Sequence, residues 1–193
     1  MAPTAEQRAR ELEDMHDRIR ECTQCRLHKS RRNAVPGEGN PDANLMFIGE
    51  APGAKEDETG RPFCGAAGDY FDEILDEAGI ERSGVFITSS VKCRPPNNRN
   101  PRRDELETCD NLWLERQAEL VDPGLIVLLG KVAARQVLGE TGRLADLHGQ
   151  VRELDGRRAM ITYHPAAGMR FPVPDEGIRQ DFRRLKELLK EMD

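Results

Sequence analysis

The sequence predicts an α/β protein, namely a three-layer α/β/α sandwich with a central four-stranded parallel sheet. Four short apolar runs alternate with segments of helical spacing, and such runs are typical of strands buried on both faces. They lie at residues 45–48, 85–88, 125–129 and 159–163. Because strands and helices alternate, right-handed crossovers place the helices on both faces of the sheet. Ligands of such sheets bind outside the carboxyl ends of the strands, so we expect the site at that edge.

The segments between and around these runs predict the helices. On the first, Leu12, Met15 and Ile19 form one narrow apolar face that leads to Cys22. The predicted helices cover residues 4–21, 69–78, 102–120, 132–138 and 178–192. A chain of 193 residues is long enough to bury one core, and we expect a single domain over residues 1–193.

Composition restricts the partners. With 29 Lys+Arg against 35 Asp+Glu the net charge is −6, so nucleic acid must be bound by local patches. No apolar run reaches the roughly 18 residues of a membrane span. The N-terminal segment is charged where a signal peptide is apolar. We therefore expect a cytoplasmic protein without membrane contact, and a monomer because no apolar surface helix requires a partner.

Two strand ends carry polar residues that point to a site. Glu50 follows the first run in a stiff loop of glycine and proline, and His164 follows the fourth. Taken alone, Glu50 is explained as a solvated residue of a turn, and His164 as a structural histidine. Both belong to the same sheet edge, however, as the convergent polar groups of a site often do.

The cysteine spacing indicates a metal centre. Cys22 and Cys25 form a close pair, Cys93 follows far along the chain, and Cys109 comes 16 positions later. Four such thiols suit zinc or an iron-sulfur cluster, with four unrelated buried thiols as the alternative. Zinc ribbons usually have two close pairs, so a single pair favours the cluster. Cys64 lies outside this spacing and is expected to be a packed thiol.

The loop between the third and fourth of these cysteines is the best local basic patch. If metal ligands hold both ends, the loop can present arginines to phosphates at small entropic cost. The competing interpretation is a solvated loop whose charges are answered by Asp104, Glu105 and Glu107. The arginines are Arg94, Arg99, Arg102 and Arg103.

These segments together resemble the family 4 uracil-DNA glycosylases, the iron-sulfur branch of the uracil-DNA glycosylase superfamily. The resemblance spans nearly the whole chain. It rests on residues 49–53 with Glu56 and Asp57, on 60–63 with Gly65, on 91–96 with Asn98 and Arg99, and on 164–165. It implies a [4Fe-4S] cluster on the four cysteines. It also implies hydrolysis of the bond between uracil and deoxyribose in single- or double-stranded DNA, leaving an abasic site.

The resemblance also implies roles for the residues of the pocket. A flipped base must be stacked on an aromatic ring and read along its edge, and Phe63 looks like that surface. The backbone of Gly49, Glu50 and Ala51 is expected to line the pocket. His164 would hydrogen-bond the uracil oxygen that gains charge, and Glu50 would direct a water to C1′.

Three further positions follow from the resemblance. Met169 would enter the gap left by the flipped base, with Arg170 on a phosphate; a packed methionine is the alternative. Ser89 stands where relatives commonly have an asparagine, and a hydroxyl cannot offer a bidentate amide. We therefore hypothesise a substrate range extending to other deaminated bases. A basic insertion found in relatives that trap uracil covalently is absent, so we expect turnover.

Two rival functions remain open from the sequence. One is an iron-sulfur protein that binds nucleic acid through the arginine loop without glycosylase activity. The other is a zinc-binding module with four cysteine ligands. Absorbance near roughly 400 nm separates cluster from zinc, since zinc has a filled d shell.

Overall fold

A computed structural model describes residues 4–192 and contains a six-stranded mixed sheet. The strands are β1 (Glu38–Gly39), β2 (Leu45–Gly49), β3 (Phe86–Ser89), β4 (Leu125–Leu129), β5 (Val151–Leu154) and β6 (Arg157–Thr162). The α-helices are α1 (Ala5–Arg20), α2 (Ala54–Thr59), α3 (Ala66–Ala78), α4 (Arg103–Cys109), α5 (Glu115–Val121), α6 (Lys131–Leu138), α7 (Leu144–Leu147), α8 (Pro165–Gly168) and α9 (Pro172–Lys190).

The centre of the sheet is the predicted parallel arrangement. The strand order is β1-β3-β2-β4-β6-β5, and β3, β2, β4 and β6 are parallel to their neighbours. The short strands β1 and β5 pair antiparallel at the two edges. The α/β class is therefore confirmed, and the prediction of four strands is corrected to six.

The two edge strands differ in the strength of their sequence signals. Strand β1 has only two residues and no periodicity to recognise. Strand β5 forms a hairpin with β6 whose turn residues, Asp155 and Gly156, have φ of 50° and 81°. An Asp-Gly pair is a strong signal for such a two-residue turn, and this signal could have revealed the hairpin, which was not predicted.

Alternate residues of the central strands enter two apolar layers. Met46, Ile48 and Ile126 belong to the layer that includes helix α1, whereas Phe47 and Val127 belong to the layer of helices α3 and α9. The three-layer arrangement follows from this two-sided burial. It places the carboxyl ends of β2, β3, β4 and β6 along one edge of the sheet.

Most helix ends lie close to the predicted ones. Thr4 caps α1, with Gln7 completing a reciprocal capping box. Helix α9 begins at Pro172, six residues earlier than predicted, because proline is tolerated in a first turn. The predicted helix 102–120 is two helices joined by a π-helical turn at Asp110–Leu114. Among residues 4–192 no helix combines the length and apolarity needed to cross a bilayer. The single domain over 1–193 stays a prediction, and residues 1–3 and 193 lie outside the described part.

Candidate active site

A cavity of about 320 Å³ opens at the carboxyl edge of the sheet. This volume lies at the lower end of the range for small-molecule sites, about 300–1,000 Å³. The sequence-predicted residues that line it are Glu50, Ala51, Phe63, Ser89, Arg99, His164 and Arg170. Residues more than a hundred positions apart therefore meet in one place, as the shared strand edge predicted.

His164 enters the cavity wall directly after β6. It is the N-cap of α8, and its Nδ1 accepts a hydrogen bond from the backbone N–H of Ala166 at 3.1 Å. The proton of the neutral ring is then on Nε2, which is left to donate. Burial lowers the pKa of His164 to about 4, so the ring is neutral at physiological pH. Gly130 makes room for it, since a Cβ there would lie 3.1 Å from that of His164.

Glu50 follows β2 and is partly buried in the same wall. Its backbone is fixed, because its carbonyl accepts from Val91 N at 3.3 Å and the carbonyl of Gly49 accepts from Ser90 N at 2.9 Å. Burial raises the pKa of the Glu50 carboxyl. Within the described residues no side chain forms an ion pair with it, so the carboxylate is available to a ligand.

Phe63 is held in a strained conformation beside His164. Its φ is 47°, a left-handed value that non-glycine residues rarely adopt. The Phe63 ring lies 5.6 Å from the His164 ring at an interplanar angle of 29°. Glu56 supports the loop by accepting from the backbone N–H groups of Cys64 and Gly65, each at 3.1 Å. A Cβ on Gly68 would lie 2.0 Å from the Phe63 carbonyl oxygen, so the adjoining helix needs glycine there.

Gly49 lies between the Phe63 ring and Ser89, but unlike these two residues it is not one of those that line the cavity. A Cβ on Gly49 would lie 3.0 Å from Phe63 Cζ and 3.4 Å from Ser89 Oγ, so glycine allows the three residues to come together. Ser89 is 5% exposed and ends β3. It is the residue of this strand that lines the cavity.

Several lining residues were not predicted as site residues. Glu56 and Pro95 lie in the segments that carried the family resemblance, so a signal existed for them. Val35 comes from a loop before β1 and reaches the cavity through folding alone. The unpredicted lining residues are Val35, Pro52, Gly53, Glu56, Pro62, Ala67, Pro95, Asn98 and Ala166.

The predicted basic loop is internally paired in part. Arg99 forms two hydrogen bonds with the buried carboxylate of Glu105, at 2.9 and 2.6 Å, and Arg103 pairs with Glu107 at 2.6 Å. For these two of the four arginines, the loop's own carboxylates answer the charge, which was the alternative to phosphate binding. Among residues 4–192 no carboxylate forms an ion pair with Arg94 or with exposed Arg102.

The segment that follows His164 in the chain lies at the opening of the cavity. Arg170 lines the opening and is exposed. Met169 is 42% exposed, Phe171 59% and Val173 72%. Met169 is more than half buried, so its entry into the gap left by a flipped base stays a prediction beside the packed alternative. Phe171 is an exposed aromatic side chain that the sequence analysis did not single out.

The four spaced cysteines share one region of the structure. Cys93 and Cys109 are buried in the apolar layer beneath α1, and Cys22 and Cys25 pack against it. All are free thiols. Burial raises the pKa of Cys109 to about 12. Burial also raises the pKa of Cys93. Cys64 lies apart and contacts Thr59 Oγ1 at 3.0 Å, as expected for a packed thiol.

The donor set fits an iron-sulfur cluster. Cys93 and Cys109 lie in one apolar layer and Cys22 and Cys25 pack against it, so the four thiols share one region of the chain. No three of the described His, Cys, Asp and Glu side chains converge closely enough for a single metal ion.

Known proteins are similar to this chain in sequence. A family model described as the uracil DNA glycosylase superfamily matches residues 36–189. The chain is 45% identical to a type-4 uracil-DNA glycosylase of Pyrobaculum aerophilum, with 90% of each chain covered. It is 42% identical to the type-4 enzyme of Saccharolobus solfataricus, covering 92% of this chain and 86% of that one.

A solved structure agrees at the level of the fold. The crystal structure of wild-type Pedobacter heparinus SMUG2 matches with a TM-score of 0.54 and 12% identity, covering 94% of this chain and 97% of the other. The shared fold, the edge cavity and the close relatives lead to one conclusion. The chain belongs to the uracil-DNA glycosylase superfamily, and within it to the type-4 uracil-DNA glycosylases.

Proposed function

We propose that the chain is a uracil-DNA glycosylase that removes uracil from DNA and leaves an abasic site. The observation that carries the proposal is the cavity in which Phe63, His164 and Glu50 meet at the carboxyl edge of the sheet. A base inside a duplex is out of reach of any side chain, so the nucleotide must leave the stack to enter this cavity.

The reaction is a substitution of a base by water at C1′ of the sugar. The bond between C1′ and N1 of uracil breaks, and its electron pair leaves with the base. A new bond forms between C1′ and a water oxygen, and the proton that this water loses is finally taken up by the departing uracil anion. Charge therefore develops at two places, negative on the uracil oxygens and positive on the sugar.

His164 acts on the negative charge. Its Nε2–H is the free donor, because Nδ1 is already accepting from Ala166. A neutral imidazole can strengthen its hydrogen bond to the uracil oxygen as charge accumulates, without giving up the proton. The lowered pKa, about 4, keeps the ring in this form throughout the physiological range.

Glu50 acts on the sugar side. As a carboxylate without an ion-pair partner in the described residues, it can orient the attacking water and stabilise the cation-like sugar. Phe63 and Gly49 shape the surface against which the base lies. A strained Phe63 beside a close-packed Gly49 gives this surface a fixed position.

We propose that Cys22, Cys25, Cys93 and Cys109 hold a [4Fe-4S] cluster. These residues would tie the end of α1 to both ends of the basic loop, and the cluster would supply a cross-link between them. The four thiols that share one region of the chain support this assignment. Iron and sulfide analysis, with absorbance near roughly 400 nm, distinguishes it from zinc.

The DNA is proposed to lie across the rim of the cavity. Arg94, Arg102 and Arg170 are the predicted phosphate contacts for which the described residues offer no ion-pair partner, whereas Arg99 and Arg103 are engaged with Glu105 and Glu107. Met169 is partly exposed at the same rim and is proposed to enter the base stack. A monomeric state and a cytoplasmic location stay predictions from the sequence.

Ser89 supports the broader substrate range proposed from the sequence. Its hydroxyl can both donate and accept, so it discriminates less sharply between base edges than an amide with fixed donor and acceptor. Excision from U:G, U:A, hypoxanthine-containing and single-stranded DNA measures this range. Selective processing of uracil alone would reject the broader specificity and leave the main proposal intact.

The main proposal is tested by single-turnover excision of uracil from a labelled oligonucleotide. We expect release of free uracil and an alkali-labile abasic site with the wild-type chain, and strong loss with His164→Asn. Binding of the oligonucleotide without base release would instead support the rival, a nucleic-acid-binding iron-sulfur protein.

A further inference from the structure

Lys92 is a buried cation without an ion-pair partner among the described residues. Its side chain is 1% exposed. The ammonium donates to Thr88 Oγ1 at 2.6 Å and to the Ser89 carbonyl at 2.8 Å, both neutral acceptors. A buried charge is costly unless an opposite charge lies close by. The structure therefore calls for negative charge near this lysine.

The groups able to supply that charge are mainly the cysteines. Cys93 is the next residue in the chain, and Asp110 is the carboxylate next to Cys109. Asp110 is half-buried and forms no ion pair with the lysine in residues 4–192. The backbone N–H of Lys92 also points to Cys109 Sγ, at 3.4 Å. Neutral thiols would leave the ammonium uncompensated, whereas thiolates bound to a cluster would compensate it.

A second cation contacts another of these cysteines. Arg31 Nη1 donates to Cys93 Sγ at 2.9 Å, and its Nη2 donates to the carbonyl of Arg20 at 3.0 Å. Its guanidinium has no ion pair with a carboxylate in the described part of the chain. Two cations without carboxylate partners thus lie against the cysteines assigned as cluster ligands.

We propose that Lys92 and Arg31 are positioning residues that balance the charge of the cluster. A [4Fe-4S] core with four thiolates carries about two negative charges in its resting state, and these two residues supply two positive ones. Hydrogen bonds and charges at the sulfurs also set the reduction potential. This inference rests on the cofactor assignment made under the proposed function.

Lys92 also joins the cluster region to the base cavity. The carbonyl that its ammonium holds belongs to Ser89, which lines the cavity. Removing the ammonium releases the end of β3 from the segment that carries Cys93. The Lys92 variant is therefore expected to raise KM for uracil-containing DNA more than it lowers kcat.

The test compares the intact holoprotein with Lys92→Met, Arg31→Gln and Arg31→Lys. Iron and sulfide per chain, the midpoint potential by voltammetry, and iron release to a chelator are measured for each. Removing a positive charge disfavours the more negative reduced cluster. We expect both neutral variants to shift the oxidised-to-reduced ratio about tenfold, which equals about 59 mV toward negative potential for one electron. Arg31→Lys should restore most of the shift.

The controls are Lys186→Met and Arg183→Gln, exposed residues on α9. Unchanged potentials and chelator resistance in Lys92→Met and Arg31→Gln, at full iron content, would overturn the proposal. Iron loss from a Lys92→Met chain that keeps its circular dichroism supports it. If that variant does not fold, the potential of Arg31→Gln decides. A wild-type chain that contains no iron would overturn the cofactor assignment itself, and uracil release by the wild type is scored separately.

Discussion

The cavity and the basic loop treat their polar groups in opposite ways. In the cavity, the described residues leave the Glu50 carboxylate without an ion pair and the Nε2 of His164 free to donate. In the loop, Glu105 binds Arg99 through both oxygens. The difference indicates that the cavity reserves its hydrogen bonds for a substrate, whereas the loop uses much of its charge to keep its own shape.

Burying the unpaired Glu50 carboxylate lowers the stability of the folded chain. Burial raises the pKa of Glu50, so the folded chain binds a proton there more tightly than the unfolded chain does. Stability from this group is present at low pH and is lost as the pH rises through the raised pKa. The opposite holds for Glu105, whose pKa is lowered mainly by its hydrogen bond from Arg99. One carboxylate serves a reaction and the other serves the fold.

The largest expected effect is that of His164→Asn. Asparagine keeps an acceptor for the Ala166 N–H, so the N-cap of α8 is retained, but the Nε2–H donor is lost. We expect single-turnover excision to fall about 10²–10³-fold with nearly unchanged Tm. His164→Ala should lose the cap as well, at about 1 kcal/mol of unfolding free energy. Wild-type rates in the asparagine variant would contradict the assigned role.

Glu50→Gln comes next and has two opposite consequences. Excision should fall about 10²-fold, because the carboxylate that orients the water is gone. The wild-type rate should decline as the pH falls through the raised pKa of Glu50, and this acid limb should disappear in the variant. His164 does not interfere until about pH 4.

Glu50→Gln should increase stability although it lowers activity. Glutamine resembles the neutral glutamate that burial favours, so the Tm at neutral pH should rise. The difference in Tm between variant and wild type should shrink toward acid pH. A variant less stable than wild type at neutral pH would show that Glu50 is a structural residue.

Gly68→Ala tests the placement of Phe63 from outside the cavity. Alanine normally favours a helix interior over glycine by about 1 kcal/mol, but here its Cβ would lie 2.0 Å from the Phe63 carbonyl oxygen. We expect a lower Tm and a loss of excision of about tenfold. Gly84→Ala is the matched control, since nothing lies within 4 Å of a Cβ there. Equal behaviour of the two variants would show that the position of Phe63 is unimportant.

The smallest effects compare a paired arginine with an unpaired one. Arg102→Gln should reduce the salt dependence of DNA binding by about one unit of slope without changing the Tm. Arg99→Gln should leave the slope nearly unchanged and lower the Tm, because it leaves the buried Glu105 carboxylate without its arginine partner. Salt titrations of binding, with thermal unfolding, separate the two; reversed results would move Arg99 to the DNA surface.

Prediction from the sequence worked where one short segment carries the information. The apolar runs gave β2, β3, β4 and β6, and Glu50 and His164 were assigned to one edge because parallel strands end together. It failed for β1, whose two residues pair with β3 only through tertiary contact. The Asp155-Gly156 turn carried a signal, but the hairpin was not predicted, because the apolar pattern alone did not reveal the strand before it.

The sequence by itself determined the fold class, the edge that holds the site and the four spaced cysteines, because local periodicity and spacing encode them. Only the tertiary structure decided which charges stay free. Arg94, Arg99, Arg102 and Arg103 are equivalent in sequence, and Lys92 is one more lysine beside a cysteine. Partners such as Glu105 and burial such as that of Lys92 depend on distances between remote segments, and these distances exist only after folding.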